Sequence, residues 1–447
     1  MKRESDTLRT DKLGSLKIMF RSFRYKNYRL FFGGQSISLI GTWIQRIALP
    51  WLVYRLSGSP FLLGLVGFAG QIPTFLLSPF AGVVSDRRNR HHILIVTQLL
   101  AMIQALVLAS LFFTGGIKVW HVILLGTALG CVNAFDMPAR QSFVIEMVES
   151  KEDLGNAIAL NSSMVNSARL LGPSIAGVLI AATGEGICFL LNGLSYLFVI
   201  ASLLLMNVAP QKAKPQHTRV WQEFKEGFSY AFGFPPIRFS ILLLGLVSLM
   251  GMPYAVLMPV FVKEILHGGP HMFGFLMGAS GIGALVGAFY LASRKSVLGL
   301  EKIIPLSAVI FGTGLMAFSL SRVFWLSLAL MFITGLGLIT QMASSNTILQ
   351  TIVDDDKRGR VMSFYAMAFL GTAPFGSLLA GGLASRIGAP NTLIIGGISC
   401  VLGALIFASK LPELKKMIHP IYVKFGIIPE VASGIQAAAE LTIPPKE

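Results

Sequence analysis

Runs of about 20 apolar residues recur along almost the whole 447-residue chain and are separated by short polar loops. A helix of that length spans the hydrocarbon core of a bilayer. Hydrophobic residues make up 54% of the chain and charged residues only 13%, whereas about a quarter of a soluble domain is charged. The sequence therefore predicts an all-α membrane protein, because no single soluble core would bury so many spanning segments.

The runs fall into two groups of six on either side of a polar segment. We predict twelve transmembrane helices in two pseudo-symmetric six-helix bundles. The segment between the bundles contains an amphipathic piece, Trp221 to Phe232, that is suited to lie along the membrane surface. The predicted divisions are a cytoplasmic arm 1–28, a first bundle 29–208, a cytoplasmic linker 209–238, a second bundle 239–410 and a cytoplasmic tail 411–447.

An internal repeat supports the two-bundle interpretation. The glycine spacing of Gly172–Gly177 recurs in Gly376–Gly381 with an offset of 204 residues. Upstream, the mixed-charge loop Val148–Asp153 corresponds to Val353–Arg358 with an offset of 205 residues. Duplicated halves of this kind place a substrate route between them.

The chain has a net charge of +16, and its positive residues are concentrated on one side of the membrane. With loops assigned from the apolar runs, 30 of the 37 Lys and Arg residues fall on one side and 5 on the other. Cytoplasmic loops carry such an excess, so both termini are expected in the cytoplasm. The charge thus reports topology and gives no reason to expect a nucleic-acid partner.

The three cysteines, Cys131, Cys188 and Cys400, all lie inside apolar runs and form no CxxC pair. They are expected to be structural thiols, so neither a disulfide nor a metal site nor a cofactor is predicted. The first apolar run is too long for a signal peptide and has no cleavage site, so we expect it to be retained.

The loop Gly82–His91 places Asp86 and three arginines between two apolar runs. It resembles the loop between the second and third spans of the major facilitator superfamily, which reads Gly-x-x-x-Asp-Arg-x-Gly-Arg-Lys/Arg. Gly82, Asp86, Arg87 and Arg90 match that pattern, and Asn89 stands where the family has glycine. Asparagine tolerates a left-handed backbone better than most residues, so the turn is expected to be preserved.

A narrower resemblance rests on three segments inside the apolar runs: Trp43–Arg46, Ala134–Gln141 and Arg169–Pro173. Together they look like the enterobactin-exporter-like branch of that superfamily, also described as drug:proton antiporters. The resemblance implies a proton-coupled exporter of small molecules in the bacterial inner membrane.

A gating role for the loop has a physical basis and a simpler alternative. A carboxylate such as Asp86 at a helix end is able to pair with nearby arginines and with the positive end of another helix. The family suggests that the second helix is the eleventh span, which starts near Gly359–Ser363, so the loop would latch the bundles together on the cytoplasmic side. Alternatively, the loop merely fixes topology through its charges.

Three ionisable residues lie well inside apolar runs: Arg46, Asp136 and Arg169. Such residues are costly in hydrocarbon and normally face a cavity or a partner. Since the second half has no acidic residue deep in a run, Asp136 is the leading candidate for proton coupling. The alternative is a structural pair of Asp136 with Arg140, four residues further along the helix, or with Arg169.

The predicted substrate cavity follows from the same residues. Arg46 and Arg169 would make it net positive, which favours an anionic or catechol-like substrate. Polar side chains in the runs either line the cavity or join helices by hydrogen bonds. The polar candidates are Gln45, Asn133, Asn161, Asn192, Gln341 and Asn346.

These features favour an exporter of a siderophore-like or drug-like molecule that works by proton-coupled alternating access, with protons, a small molecule and the lipid bilayer as partners. We expect a monomer. A facilitator, an importer or a lipid-moving member of the superfamily is the main alternative. A membrane enzyme would need a catalytic cluster such as HExxH, which the runs do not contain, and a sensor would need a larger soluble domain.

Overall fold

The computed structural model describes residues 20–148, 150–208, 220–294, 296–425 and 427, apart from the side chains at 79, 83, 86, 151 and 220–224. Most of the predicted N-terminal arm, the first part of the linker and the end of the tail therefore lie outside the described residues.

Long helices account for nearly all of the described chain, with short turns between them. They are α1 (Lys26–Ser57), α2 (Pro60–Arg87), α3 (Arg90–Phe113), α4 (Val119–Glu146), α5 (Lys151–Thr183), α6 (Glu185–Leu204), α7 (Pro235–Ile265), α8 (Pro270–Ala292), α9 (Leu300–Leu320), α10 (Phe324–Ile352), α11 (Asp355–Ile387) and α12 (Ala389–Lys424). A 3-10 turn, Arg21–Arg24, precedes α1, and a linker helix, Val220–Gly233, precedes α7. No strand occurs among the described residues.

Eleven of these helices, within the described residues, are long and apolar enough to cross a membrane. The exception is α1, which has 32 residues but carries Lys26, Arg29, Arg46 and Arg55. The prediction of an all-α membrane protein is confirmed.

Local sequence explains where the helices begin and end. Gly58, with a φ of 60°, ends α1 in the left-handed conformation that favours glycine. The Ser59 hydroxyl then accepts a hydrogen bond from the Leu62 amide, and Pro60 occupies the first position of α2. The apolar runs therefore become separate helices joined by a two-residue turn.

Asn89 does not adopt a left-handed backbone, although the chain still turns between α2 and α3. Its φ is −65°, and its side-chain oxygen accepts hydrogen bonds from the amides of His91 and His92. Asparagine therefore serves as the N-cap of α3, a role for which its short polar side chain is well suited.

Two spanning helices contain π-helical turns. In α7 these are Val247–Gly251 and Phe261–Ile265, and in α11 the turn is Met367–Gly371. Pro253 and Pro374 follow two of these turns, and proline lacks the amide that would continue the helical ladder.

Helices from the two halves of the chain meet along two seams, α2 with α11 and α5 with α8. Within the first half, α1 packs on α5 and α6, and α2 packs on α4. Within the second half, α8 and α9 both pack on α10, and α12 packs on α9. Two helices of each half thus form most of the interface between the halves, and α7 adds smaller contacts with α1 and α2.

Both seams contain a glycine crossing at the same end of the molecule. A Cβ built on Gly64 would lie 2.8 Å from the Gly381 Cα, and one on Gly274 would lie 2.8 Å from the Gly177 Cα. We call this end, which carries the turns at Gly58 and Gly388, the opposite face, and the end carrying Arg87–Arg90 the basic face. The halves are in backbone contact near the opposite face.

The two seams are less closely packed at the basic face. A Cβ at Gly82 near the end of α2, at Gly155 near the start of α5 or at Gly359 near the start of α11 would meet no atom within 4 Å. The halves are therefore in backbone contact at the opposite face, whereas these three positions near the basic face have no packing partner within 4 Å.

The chain after the twelfth apolar run continues as helix, which differs from the predicted boundary at 410. α12 runs through Pro412 and Pro420 to Lys424, with Leu414, Ile418 and Tyr422 buried. Packing of this apolar stripe outweighs the two prolines.

Candidate functional site

Arg46 and Arg169 come close to each other where α1 packs on α5. Gly172 lets α5 approach so closely that a Cβ there would collide with the Trp43 side chain of α1. The Arg46 guanidinium lies 4.9 Å from the centre of the Trp43 ring, one turn further along α1. Arg46 is solvent-exposed although it lies deep in a long helix, and Arg169 is half-buried.

Within the described part of the chain, no carboxylate balances the charge of these two arginines. The charges of Arg169 and Arg140 both act on Arg46, so Arg46 lies within electrostatic range of two other cations. Among the described residues, neither Arg46 nor Arg169 forms an ion pair. An exposed, uncompensated positive site inside the helix array is suited to bind an anion.

Asp136 lies in a buried polar cluster between α3 and α4. Its Oδ1 accepts hydrogen bonds from the Gln98 amide at 2.7 Å and the Thr97 hydroxyl at 3.1 Å. Its Oδ2 forms an ion pair with Arg140 Nη2 at 3.2 Å, four residues further along α4. Of the two structural pairings considered for Asp136, the geometry selects Arg140.

Gln45 is buried inside the first half and bridges three helices. Its amide nitrogen donates to Gln104 Oε1 at 3.1 Å, and its Oε1 accepts from Asn192 Nδ2 at 2.8 Å. All three side chains are at least 95% buried. Gln45 and Asn192 therefore join α1, α3 and α6 in this structure.

The other polar candidates fall into two groups. Asn133 and Asn161 are half-buried and form no hydrogen bond with a side chain among the described residues. Gln341 is fully buried in α10, where its amide nitrogen donates to Ser345 Oγ at 3.3 Å. Asn346, one turn further along, is half-buried and accepts a hydrogen bond from Gln350.

The predicted gating loop is a tight turn between α2 and α3. Arg90 Nη1 forms an ion pair with Glu146 Oε1 of α4 at 2.6 Å, within the first half. Arg87 is exposed, Gly82 is half-buried, and the side chain of Asp86 lies outside the described residues. In this structure the described contacts of the loop stay within its own half.

Sequence reasoning missed a polar contact between the halves at the opposite face. The Tyr54 hydroxyl at the end of α1 donates to Glu264 Oε1 at the end of α7. One residue on, Arg55 holds Glu185 of α6 through two hydrogen bonds of 2.8 and 3.0 Å. Both carboxylates stand at predicted span ends, but no sequence signal indicates which residues they contact.

The fold is shared with solved transporters of the major facilitator superfamily. A bacterial homologue of the iron transporter ferroportin, in an inward-facing state, is 17% identical and superposes with a TM-score of 0.65, covering 86% of this chain and 98% of that one. A bacterial homologue of the human lysosomal transporter Spinster, also inward-facing, is 14% identical with a TM-score of 0.64, covering 89% of this chain and 97% of that one. The chain thus shares the fold of these two transporters.

The model of the transmembrane secretion effector family matches residues 18–424, so the chain belongs to that family. The staphyloferrin A transporter of Staphylococcus aureus is 27% identical over 85% of this chain and 95% of its own length. The multidrug efflux pump Tap of Mycolicibacterium fortuitum is 24% identical over 84% and 93%. Macrolide efflux protein A of Streptococcus pyogenes is 23% identical over 88% and 99%. The resemblance to the superfamily is confirmed.

Proposed function

We propose that this protein exports a siderophore-like or drug-like small molecule across the bacterial cell membrane by proton-coupled alternating access. Its relatives are named as transporters or efflux proteins for staphyloferrin A, for multiple drugs and for macrolides. The observation that carries the proposal is the backbone contact at the opposite face combined with unpacked glycines near the basic face, with exposed Arg46 in between. That arrangement fits a transporter that takes up its cargo from the basic side.

In the proposed topology α1 also crosses the membrane, which brings the number of spans to twelve. The basic face is cytoplasmic. At a rise of 1.5 Å per residue, the 32 residues of α1 are long enough to cross a hydrocarbon core of about 30 Å. The exposure of Arg46 fits a side chain that faces a transport cavity, and its charge contributes to the low apolar character of α1. Both termini then lie in the cytoplasm, and we propose that the monomer is the transporting unit.

The decisive experiment is flux in proteoliposomes with an imposed pH gradient. Two probes are used, 2,3-dihydroxybenzoate as an anionic catechol and erythromycin as a macrolide. Movement of either probe against its gradient, driven by a proton gradient in the opposite direction, supports proton-coupled export. Movement only down the probe gradient indicates a facilitator, and movement in the same direction as protons indicates an importer.

The cation cluster favours an anionic substrate over a neutral one. Because charged hydrogen bonds contribute about 1.5–3 kcal/mol, Arg46→Gln and Arg169→Gln should each lower uptake of 2,3-dihydroxybenzoate about 10- to 100-fold. Arg386→Gln, which removes an exposed charge at the end of α11, is the matched control. If all three variants transport the catechol equally well, the arginines are structural and the substrate is not held by them.

The loop Gly82–Arg90 is proposed to seat on the start of α11 when the basic face closes. Asp86→Asn should then lower transport about two- to thirtyfold while membrane insertion is unchanged, because a carboxylate at the positive end of a helix contributes about 0.3–2 kcal/mol. Glu413→Gln, at an exposed ion pair of α12, serves as the control for charge loss. Normal transport by well-inserted Asp86→Asn would leave the loop with a topological role only.

A further inference from the structure

The linker helix Val220–Gly233 is docked on the first turns of α11. Glu226 Oε2 forms an ion pair with Arg360 Nη1 at 3.1 Å. The Phe232 ring meets the Phe364 ring edge to face, with 6.3 Å between centres. Gly227 lies so near α11 that a Cβ there would be 3.1 Å from the Arg360 Cβ.

A tyrosine extends this contact to the loop that precedes α11. The Tyr230 hydroxyl lies 3.4 Å from Asp354 Oδ2, and the Lys357 ammonium lies 4.5 Å from the centre of the Tyr230 ring. Burial against the loop, together with Asp354, raises the pKa of the Tyr230 hydroxyl. Charged and aromatic side chains of the linker helix thus both contact protein, and its position along the membrane surface stays a prediction.

The N-terminal turn makes an equivalent contact in the first half. Ser22 Oγ donates to Asn156 Oδ1 of α5 at 2.7 Å, and the fully buried Tyr28 donates its hydroxyl to the Ala157 carbonyl at 2.9 Å. Asp153, which is 3% exposed, is held by Arg21 at 3.0 Å and by other donors of the same turn. The start of α5 is thus fixed by the segment that precedes α1.

The two contacts are related by the internal repeat. Adding 204 to Ser22 and Asn156 gives Glu226 and Arg360, which are in contact in the second half. The same offset relates Tyr28 to Phe232 and Gly172 to Gly376. Equivalent positions are therefore in contact in both halves. The contact is a neutral hydrogen bond in the first half and an ion pair in the second.

We propose that the linker helix is the second half's copy of the N-terminal anchor, and that it positions the first turns of α11 for closure of the basic face. It occupies one side of α11, at Arg360 and Phe364, while Gly359 and Ser363 on another side stay exposed. Those exposed residues are where the gating loop is proposed to seat, so the role in closure rests on the proposed function. The helix stays docked throughout the transport cycle and moves with α11 as one body.

The first test measures the position of α11 within its own half and needs no substrate. Spin labels are placed at Ser363 of α11 and at the exposed Lys302 at the start of α9. Gly227→Leu forces the linker helix away and should turn one narrow distance distribution into a broad one. Gly233→Leu, in the same helix but with no atom within 4 Å of its Cβ, should leave the distribution narrow. An unchanged distribution for Gly227→Leu overturns the positioning role.

Reversing the charges of the Glu226–Arg360 pair provides a rescue experiment that distinguishes loss of the contact from misfolding. Glu226→Arg and Arg360→Glu should each broaden the distribution, because each places like charges together, and the double variant should restore the narrow one. If both single variants broaden the distance distribution and the double variant does not restore the narrow one, a specific pairing of residues 226 and 360 is contradicted. Lys410→Glu at an exposed pair of α12 controls for charge reversal in general.

The second test asks whether the helix stays docked during transport. Gly227→Cys combined with Arg360→Cys allows a disulfide to replace the ion pair. Erythromycin and 2,3-dihydroxybenzoate fluxes should be below the wild-type rate in the reduced form and return to it after oxidation. Oxidised protein that is no faster than the reduced form contradicts permanent docking. If the wild type moves neither probe, the proposed function fails instead, and the distance measurement still decides the positioning role.

Discussion

Gly381→Val should abolish transport, whereas Gly382→Val, at the next residue of α11, should leave it close to the wild-type rate. A Cβ on Gly381 would lie 2.8 Å from the Gly64 Cα and from the Pro60 carbonyl oxygen, so a side chain meets backbone that has no freedom to move away. A Cβ on Gly382 would meet no atom within 4 Å. Both variants add the same valine to the same helix, and only one obstructs the seam.

The reason for the large effect is that the opposite face closes through backbone contact. Overpacking a well-packed site costs about 1–3 kcal/mol, and here the cost applies only to the state in which the seam is closed. The closed-face population should therefore fall about 5- to 150-fold, which leaves the halves apart at the opposite face. Spin labels at exposed Ser385 and half-buried Leu62 measure that separation directly.

The internal repeat supplies an independent check. Gly177 and Gly274 form the corresponding crossing of α5 and α8, and the Cβ distances there are nearly the same as at Gly64 and Gly381. Gly177→Val should therefore have an effect similar to that of Gly381→Val. A transporter that works normally with valine at Gly381 would show that the opposite face does not need to close at this seam.

The membrane-spanning helices were predictable because they correspond to apolar runs that are visible in the sequence. A run of about 20 apolar residues has few alternatives in a chain of this composition, so eleven candidate spans appear, in the described part of the chain, where the runs lie. The boundaries were less predictable, because they depend on packing between distant residues. α12 continues through two prolines since Leu414, Ile418 and Tyr422 are buried against the rest of the protein.

Polar residues in the spans illustrate a limit of sequence reasoning about the site. Gln45 and Arg46 are adjacent, yet the first is buried among α1, α3 and α6 and the second is exposed. Successive helical residues point about 100° apart, so neighbours reach different environments that composition does not distinguish. Gln341 likewise lies inside the second half, while Asn346 on the same helix is half-buried.

The contact of Tyr54 with Glu264 shows a second limit. Each residue stands at the end of an apolar run and has the sequence environment of an ordinary interfacial side chain. Only the closed opposite face brings the ends of α1 and α7 together. A contact that exists in one state of a transporter leaves no periodic signal along the chain.

The proposed role of Asp136 in proton coupling predicts that Asp136→Asn abolishes the response to a pH gradient while erythromycin or 2,3-dihydroxybenzoate still binds. Asparagine imitates the protonated carboxylic acid, and its oxygen is still able to accept from Gln98 and Thr97. A transporter fixed in that protonation state should carry probe only down its own gradient. The measurement is probe flux per folded molecule as the imposed gradient is varied.

The buried pair with Arg140 offers a competing explanation, and a second variant separates the two. Removing one partner of a buried ion pair costs about 3–5 kcal/mol, since the remaining charge is left without compensation. If Asp136 is only structural, Asp136→Asn lowers the amount of folded protein, Asp136→Asn with Arg140→Gln restores it, and the molecules that fold still respond to pH. If Asp136 carries the proton, the double variant folds well and remains indifferent to the gradient, because neutralising Arg140 restores stability but supplies no site for a proton.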